Sequence, residues 1–174
     1  MKKITAYEIA LSALACGIAT VFLAVGVYSE ILLFTGYLLA SAALMLPLAK
    51  KSCWGYALAY IATCILSLIF NASRFFDILP FIAFFGLHPL MNELQLKCKL
   101  NRWVAWAIKA VLFDGTMYLI WRFVFGMTTN FPLVDKYIIP VLLVLGTAFF
   151  LLYDIAAFRC RAVINSIVNR IVRK

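Results

Sequence analysis

Seven acidic residues, sixteen lysines and arginines and one histidine are distributed along 174 residues of which 66% are hydrophobic. An ionisable group inside a long apolar run is costly to keep there, so each one is either paired or functional. Four fall in that class: His88, Lys109, Asp114 and Asp154. Counted at the helical rise from the basic end of each run, Lys109 and His88 lie about 10 Å deep, Asp154 about 7 Å and Asp114 about 18 Å. Lys109 and Asp154 share a level on consecutive antiparallel runs, which predicts an ion pair; snorkelling of Lys109 to the interface is the alternative. His88, in LHPL, is read as a helix-end hydrogen bonder or as one station of a proton relay. Asp114 is the deepest charge. It is expected either to be protonated and bonded to the hydroxyl of Thr63 or Thr147, or to line a water-filled cavity.

A second set gathers at the opposite level. Glu30, Asn71, Arg74, Asp77, Trp121 and Arg122 all come out near one mouth of the predicted bundle, with Tyr28 and Asn130. Charges of both signs beside aromatic rings can orient a small polar ligand whose apolar part enters between helices. They also make an ordinary interfacial belt, so both readings stand here. No metal site or cofactor is expected. Cys16, Cys53, Cys64, Cys98 and Cys160 have neither CxxC nor Cys/His spacing and are read as reduced thiols. HExxH, GxSxG and suitably spaced aspartate pairs are missing, and the expectation is a protein that is not an enzyme.

The elements that must position these groups are helices in lipid. A mean hydropathy of +1.02 rules out a water-soluble domain of this size. Apolar runs at about 6–27, 30–49, 53–71, 75–92, 102–127 and 134–158 predict an all-α, six-helix polytopic membrane domain over 1–158. A basic amphipathic tail follows at 159–174, as a continuation of the last span or a helix on the inner surface. Pro80 and Pro89 predict a kinked fourth span. On a six-span zigzag twelve flanking lysines and arginines fall on one side, against Arg74 and Lys136 on the other. Both termini are therefore expected in the cytoplasm. The net charge of +9 reports this asymmetry and lipid contact, and implies no nucleic-acid partner. The opening MKKITAYEIALSALACGIATVFLAVG looks at first like a cleaved secretory signal. Glu8 interrupts it early and it stays apolar through Val27, so it is read as a retained first span.

Small residues at Ala6, Ala10, Ala13, Gly17, Thr20 and Ala24 make a stripe along that first helix. Such spacing lets another helix backbone approach closely in lipid. Six helices, cytoplasmic ends and this AxxxA-type spacing together resemble the substrate-binding S components of energy-coupling factor transporters. The resemblance implies a small-molecule substrate such as a vitamin, a bacterial plasma membrane, and docking of a transmembrane T component with two ATPases on helix one. The matching pairs are Ala6 with Ala10, Ala13 with Gly17, and Ala15 with Ala19. The chain departs from the family in the short GVYSE turn after helix one. It is also similar to small uncharacterised bacterial membrane proteins in Phe84-Phe85-Gly86 to Pro89 and in Leu152-Tyr153-Asp154, a likeness that implies no activity. The alternative to substrate capture is a membrane scaffold that uses the same small-residue face.

Overall fold

A computed structural model describes residues 5–29, 31–98, 101–123, 137, 139–140 and 142–172, without the side chains at 121, 123, 142, 169, 171 and 172. Glu30, Asn130 and Lys136 lie outside the described residues. All regular structure among these residues is helical: α1 (Ala6–Ser29), α2 (Leu33–Leu48), α3 (Cys53–Phe70), a 3-10 helix (Ala72–Ile78), a π-helix (Phe81–Phe85), α4 (His88–Lys97), α5 (Arg102–Phe123), a second π-helix (Leu142–Gly146) and α6 (Thr147–Val172).

Four helices are long and apolar enough to cross a membrane, or five if the bent pair Ala72–Ile78 and Phe81–Lys97 is one broken span. The described residues thus show four or five of the six spans expected from the sequence, and the fourth is kinked as its prolines predict. The second is only 16 residues long, about 24 Å at the helical rise against roughly 30 Å of hydrocarbon. The fourth is bent by 48°, and its continuous part ends at Lys97 instead of at 92. At the C-terminal end, the basic residues Arg159, Arg161 and Arg170 continue α6 without a break.

Contacts divide the chain into two compact units, residues 1–94 with 157–174, and residues 95–156. In the first, α1 packs against α2 and α3. The buried face of α1 runs Ala15, Ala19, Leu23, Val27, a strict four-residue step with exposures of 0 to 1%, so α1 is part of the core. Gly26 and Gly36 bring α1 and α2 almost into backbone contact: a Cβ on Gly36 would stand 2.8 Å from the Phe22 carbonyl oxygen. Glu8, which looks in sequence like an interruption, closes a capping box instead. Its carboxylate accepts from the Thr5 backbone N–H at 2.8 Å while Thr5 Oγ1 accepts from the Glu8 N–H at 3.3 Å.

Both π-helices obey one local rule. Each follows a proline, Pro80 or Pro140, and each reaches a glycine six residues after it, Gly86 or Gly146. Proline removes a donor and crowds the preceding turn, and the widened i→i+5 register absorbs the mismatch. The Gly86 N–H accordingly donates to the Phe81 carbonyl at 2.7 Å. A Cβ on Gly86 would lie 2.6 Å from Tyr60 Cε2, so the wide turn and the tyrosine fit together only with glycine. Tyr60 donates to the Ile82 carbonyl at 2.6 Å, and Tyr56 donates to the Gly86 carbonyl.

Candidate functional sites on the helix-one face and at the buried charges

The first unit carries the small-residue face. Ala6, Ala10, Ala13 and Gly17 are exposed, Thr20 is buried and Ala24 half-buried. Ala15 and Ala19 are at 0% exposure, which places the third sequence-matched pair inside the unit and away from the open face. Beside Ala13 and Gly17 runs a groove of about 420 Å³ between α1 and α3, floored by Ser12, Cys16, Gly55 and Ala59. A Cβ on Gly17 would meet nothing within 4 Å. The groove exists because both helices present small residues at one crossing while Ile9, Leu58 and Leu66 form its rims.

Of the outer group, the first unit holds Asn71, Arg74 and Asp77 where α3 gives way to the 3-10 helix. Arg74 Nη1 donates to the Val27 carbonyl at 3.2 Å and so caps the end of α1. Asn71, fully buried, donates its amide to the Ser67 carbonyl at 2.9 Å. Tyr37 donates to the Asp77 carbonyl. Arg74 and the Asn71 amide thus hold the ends of α1 and α3, whereas Asp77 takes part only through its backbone carbonyl among the described residues and Asn71 Oδ1 is buried with no hydrogen-bond partner. Arg122, in the second unit, is exposed near the end of α5, and of Trp121 only the helical backbone is described.

His88 opens α4 at 0% exposure. Its ring packs 5.4 Å from that of Phe84, and its Nδ1 lies 3.4 Å from Asn92 Nδ2, one turn on. The next residue of the same helix, Glu93, receives Arg161 of α6, with Nη2 at 2.6 Å and Nε at 3.0 Å from one carboxylate oxygen. Sequence reasoning did not single out this pair. Both residues sit at the basic ends of their helices, and opposite charge at a common level was the available signal.

Among the described residues of the second unit Lys109 and Asp154 are buried and Asp114 is half-buried. Lys109 Nζ lies 2.6 Å from Asp154 Oδ1, with side-chain exposures of 4% and 0%, which is the pair expected from their common depth. Trp106, not anticipated, donates Nε1–H to the other oxygen, Oδ2, at 2.7 Å. Both oxygens of Asp154 are thus engaged. Asp114 Oδ2 accepts from Thr147 Oγ1 at 2.9 Å, one of the two hydroxyls expected; Thr63 turns instead to the Ala59 carbonyl at 2.7 Å. Asp114 Oδ1 is buried with no hydrogen-bond partner. Asp114 borders an open groove of about 480 Å³ whose other lining residues, Val111, Gly115, Tyr118, Ile139 and Leu143, are exposed. No group of three or more His, Cys, Asp or Glu side chains suited to a metal ion occurs among the described residues.

No family model, curated protein or solved structure matches this chain. The likeness to S components therefore stands on helix layout and helix-one spacing alone.

Proposed function

We propose that the chain is a membrane-embedded capture subunit of a bacterial plasma membrane, with both termini in the cytoplasm. It takes up a small molecule and works with a separate ATP-driven module whose transmembrane component docks on α1. The observation that carries this reading is the division of the small residues of α1 into two faces. Ala15 and Ala19 are consumed by internal packing, while Ala13 and Gly17 are exposed beside an apolar groove. A face of small residues beside a groove admits a partner helix at short range, where dispersion contacts and weak Cα–H hydrogen bonds drive association in lipid. Arg74 serves the end of α1, while Asn71 keeps an unpartnered buried oxygen and, among the described residues, Asp77 is held only through its backbone carbonyl, so capture is assigned to the outer group, with Asn71 and Asp77 in the first unit.

The test is Ala13→Trp, with Gly17→Leu beside it. Since position 17 has free space around it, Gly17→Leu should express and remain folded. Both variants should lose copurification of a T component and ATPases from native membranes, together with ATP-dependent uptake. Normal assembly and uptake in both would end the docking reading. A partner held by this face without ATPases or ligand would select the scaffold alternative, which the same exposed face favours.

A further inference from the structure

The end of the first unit opposite Lys50 and Lys51 carries a surface that the docking face does not use. Of the three helices packed there, α1 has 24 residues, α2 16 and α3 18. At the helical rise they are about 36, 24 and 27 Å long, against roughly 30 Å of hydrocarbon. All three share a level at the basic end, since Lys50 and Lys51 join α2 to α3 and Lys50 Nζ stands 5.8 Å from the centroid of the Tyr7 ring at the start of α1. With that level at one interface, α1 reaches the opposite headgroups, while α2 and α3 stop about 3–6 Å short of them. Tilt only widens the gap, and a leaflet meets such a gap by thinning.

Two independent observations agree with that depth. The side chains exposed at this end are large and apolar: Ile31 at 94%, with Leu32, Phe34, Phe70, Phe75 and Phe76. They come from the turn between α1 and α2, the start of α2, the end of α3 and the 3-10 helix, so they make a collar around the end and not a stripe along one helix. Apolar groups exposed in such number mark a surface with a non-aqueous neighbour.

The second observation concerns the backbone. Arg74 breaks the helical register inside the 3-10 helix, with φ −129° and ψ 35°, and carbonyls around the break are served by the protein's own side chains. Arg74 Nη1 donates to Val27 and the Tyr28 hydroxyl to Phe70, each at 3.2 Å; Asn71 Nδ2 donates to Ser67 at 2.9 Å, and Tyr37 donates to Asp77. At a water-facing end solvent does this work. Near lipid, a carbonyl without a donor costs several kcal/mol, so the chain must supply the donors itself.

We propose that this end of the first unit is a lipid-seated surface, with the collar held among the acyl chains of the facing leaflet. A second copy or a polar protein partner is disfavoured, because the internal capping of the carbonyls answers a lack of water that lipid alone imposes on every copy. A ligand reaching Asp77 then arrives through lipid. That consequence rests on the capture reading; the seating of the collar does not.

The experiment places a nitroxide at Ile31→Cys or Phe75→Cys, with Lys51→Cys as the water-facing reference, in the full chain with Cys98 and Cys160, the exposed native thiols, replaced by serine. In nanodiscs of 18-carbon phospholipid, power saturation compares collisions with oxygen, which concentrates in acyl chains, and with the water-soluble nickel chelate of ethylenediaminediacetate. At positions 31 and 75 oxygen collisions should exceed nickel collisions, and at 51 the order should reverse. Nickel collisions at 31 or 75 as frequent as at 51 would put the collar in water and overturn the proposal. Exclusion of both reagents from either position would show a covering protein chain and overturn it equally. Leu32→Cys stands in for either variant that does not fold. No ligand or partner is needed, so loss of docking or of uptake in the α1 variants leaves this result untouched.

Discussion

Lys109 and Asp154 show how a buried charge is kept in this chain. Once both are out of water their attraction must outweigh a desolvation cost of several kcal/mol per ion, and the Trp106 N–H on the second carboxylate oxygen contributes to that balance. Removing one partner should therefore do more harm than removing both. Asp154→Leu leaves an ammonium without its counterion and is expected to cost about 3–5 kcal/mol, whereas Lys109→Met with Asp154→Leu should return to within about 1 kcal/mol of wild type. Reversible unfolding in mixed micelles checks this; equal losses in the single and double variants would refute it. The pair was legible from sequence because depth follows from residue counting. Trp106 was not, since an indole at an interface is ordinary and nothing in its spacing marks it as a donor. Glu93 and Arg161 are less enclosed, with side-chain exposures of 6% and 28%, so solvent screens them more. Arg161→Ala should cost no more than about 1–3 kcal/mol, measured in the same way.

At the level of elements, the sequence placed helices well and faces poorly. Lipid-facing and core-facing residues are both apolar in a membrane helix, so periodicity cannot tell them apart as it does in water. That is why the stripe on α1 was read as one surface, although Ala6, Ala10, Ala13 and Gly17 are exposed while Thr20 is buried and Ala24 half-buried, and why Ala15 and Ala19 were paired with it although they belong to the core. The crossing of α1 and α2 at Gly26 and Gly36 was missed for the same reason. It yields a sharp expectation, because a side chain at position 36 would begin 2.8 Å from the Phe22 carbonyl oxygen and 3.0 Å from the Gly26 Cα. Backbone cannot yield as a flexible side chain can. Gly36→Val should destabilise the protein by about 1–3 kcal/mol or more, visible as a lowered thermal midpoint, while Gly17→Leu, into open space, should leave it nearly unchanged. The kink at Pro80 was legible from the proline itself. Its form, a π-turn bracketed by Tyr56 and Tyr60, depends on a neighbouring helix, and the local sequence does not reveal that.

Across the whole molecule the deciding quantity is the parity of crossings, and it turns on α2. Leu33–Leu48 is short for a bilayer, yet Ile31, Leu32 and Ala49 extend the apolar stretch to 19 residues, about 28 Å of helix if all join it. A mismatch of that size is met by local thinning at modest cost. With α2 crossing, residues 3, 51, 98 and 160 share one side. Without it, the N-terminus parts company with the other three, because they remain separated from one another by an even number of crossings. The exposed native thiols Cys98 and Cys160 provide two of the reporters, and Lys3→Cys in a background with both replaced by serine provides the third. An impermeant maleimide applied to intact cells should label none of them; applied to inverted vesicles it should label all. Labelling of position 3 alone from outside would show that α2 does not cross, and would remove the layout on which the likeness to S components depends. Labelling of Cys98 from outside would mean that the basic loop faces away from the cytoplasm, against the strong tendency of lysine and arginine to be retained there.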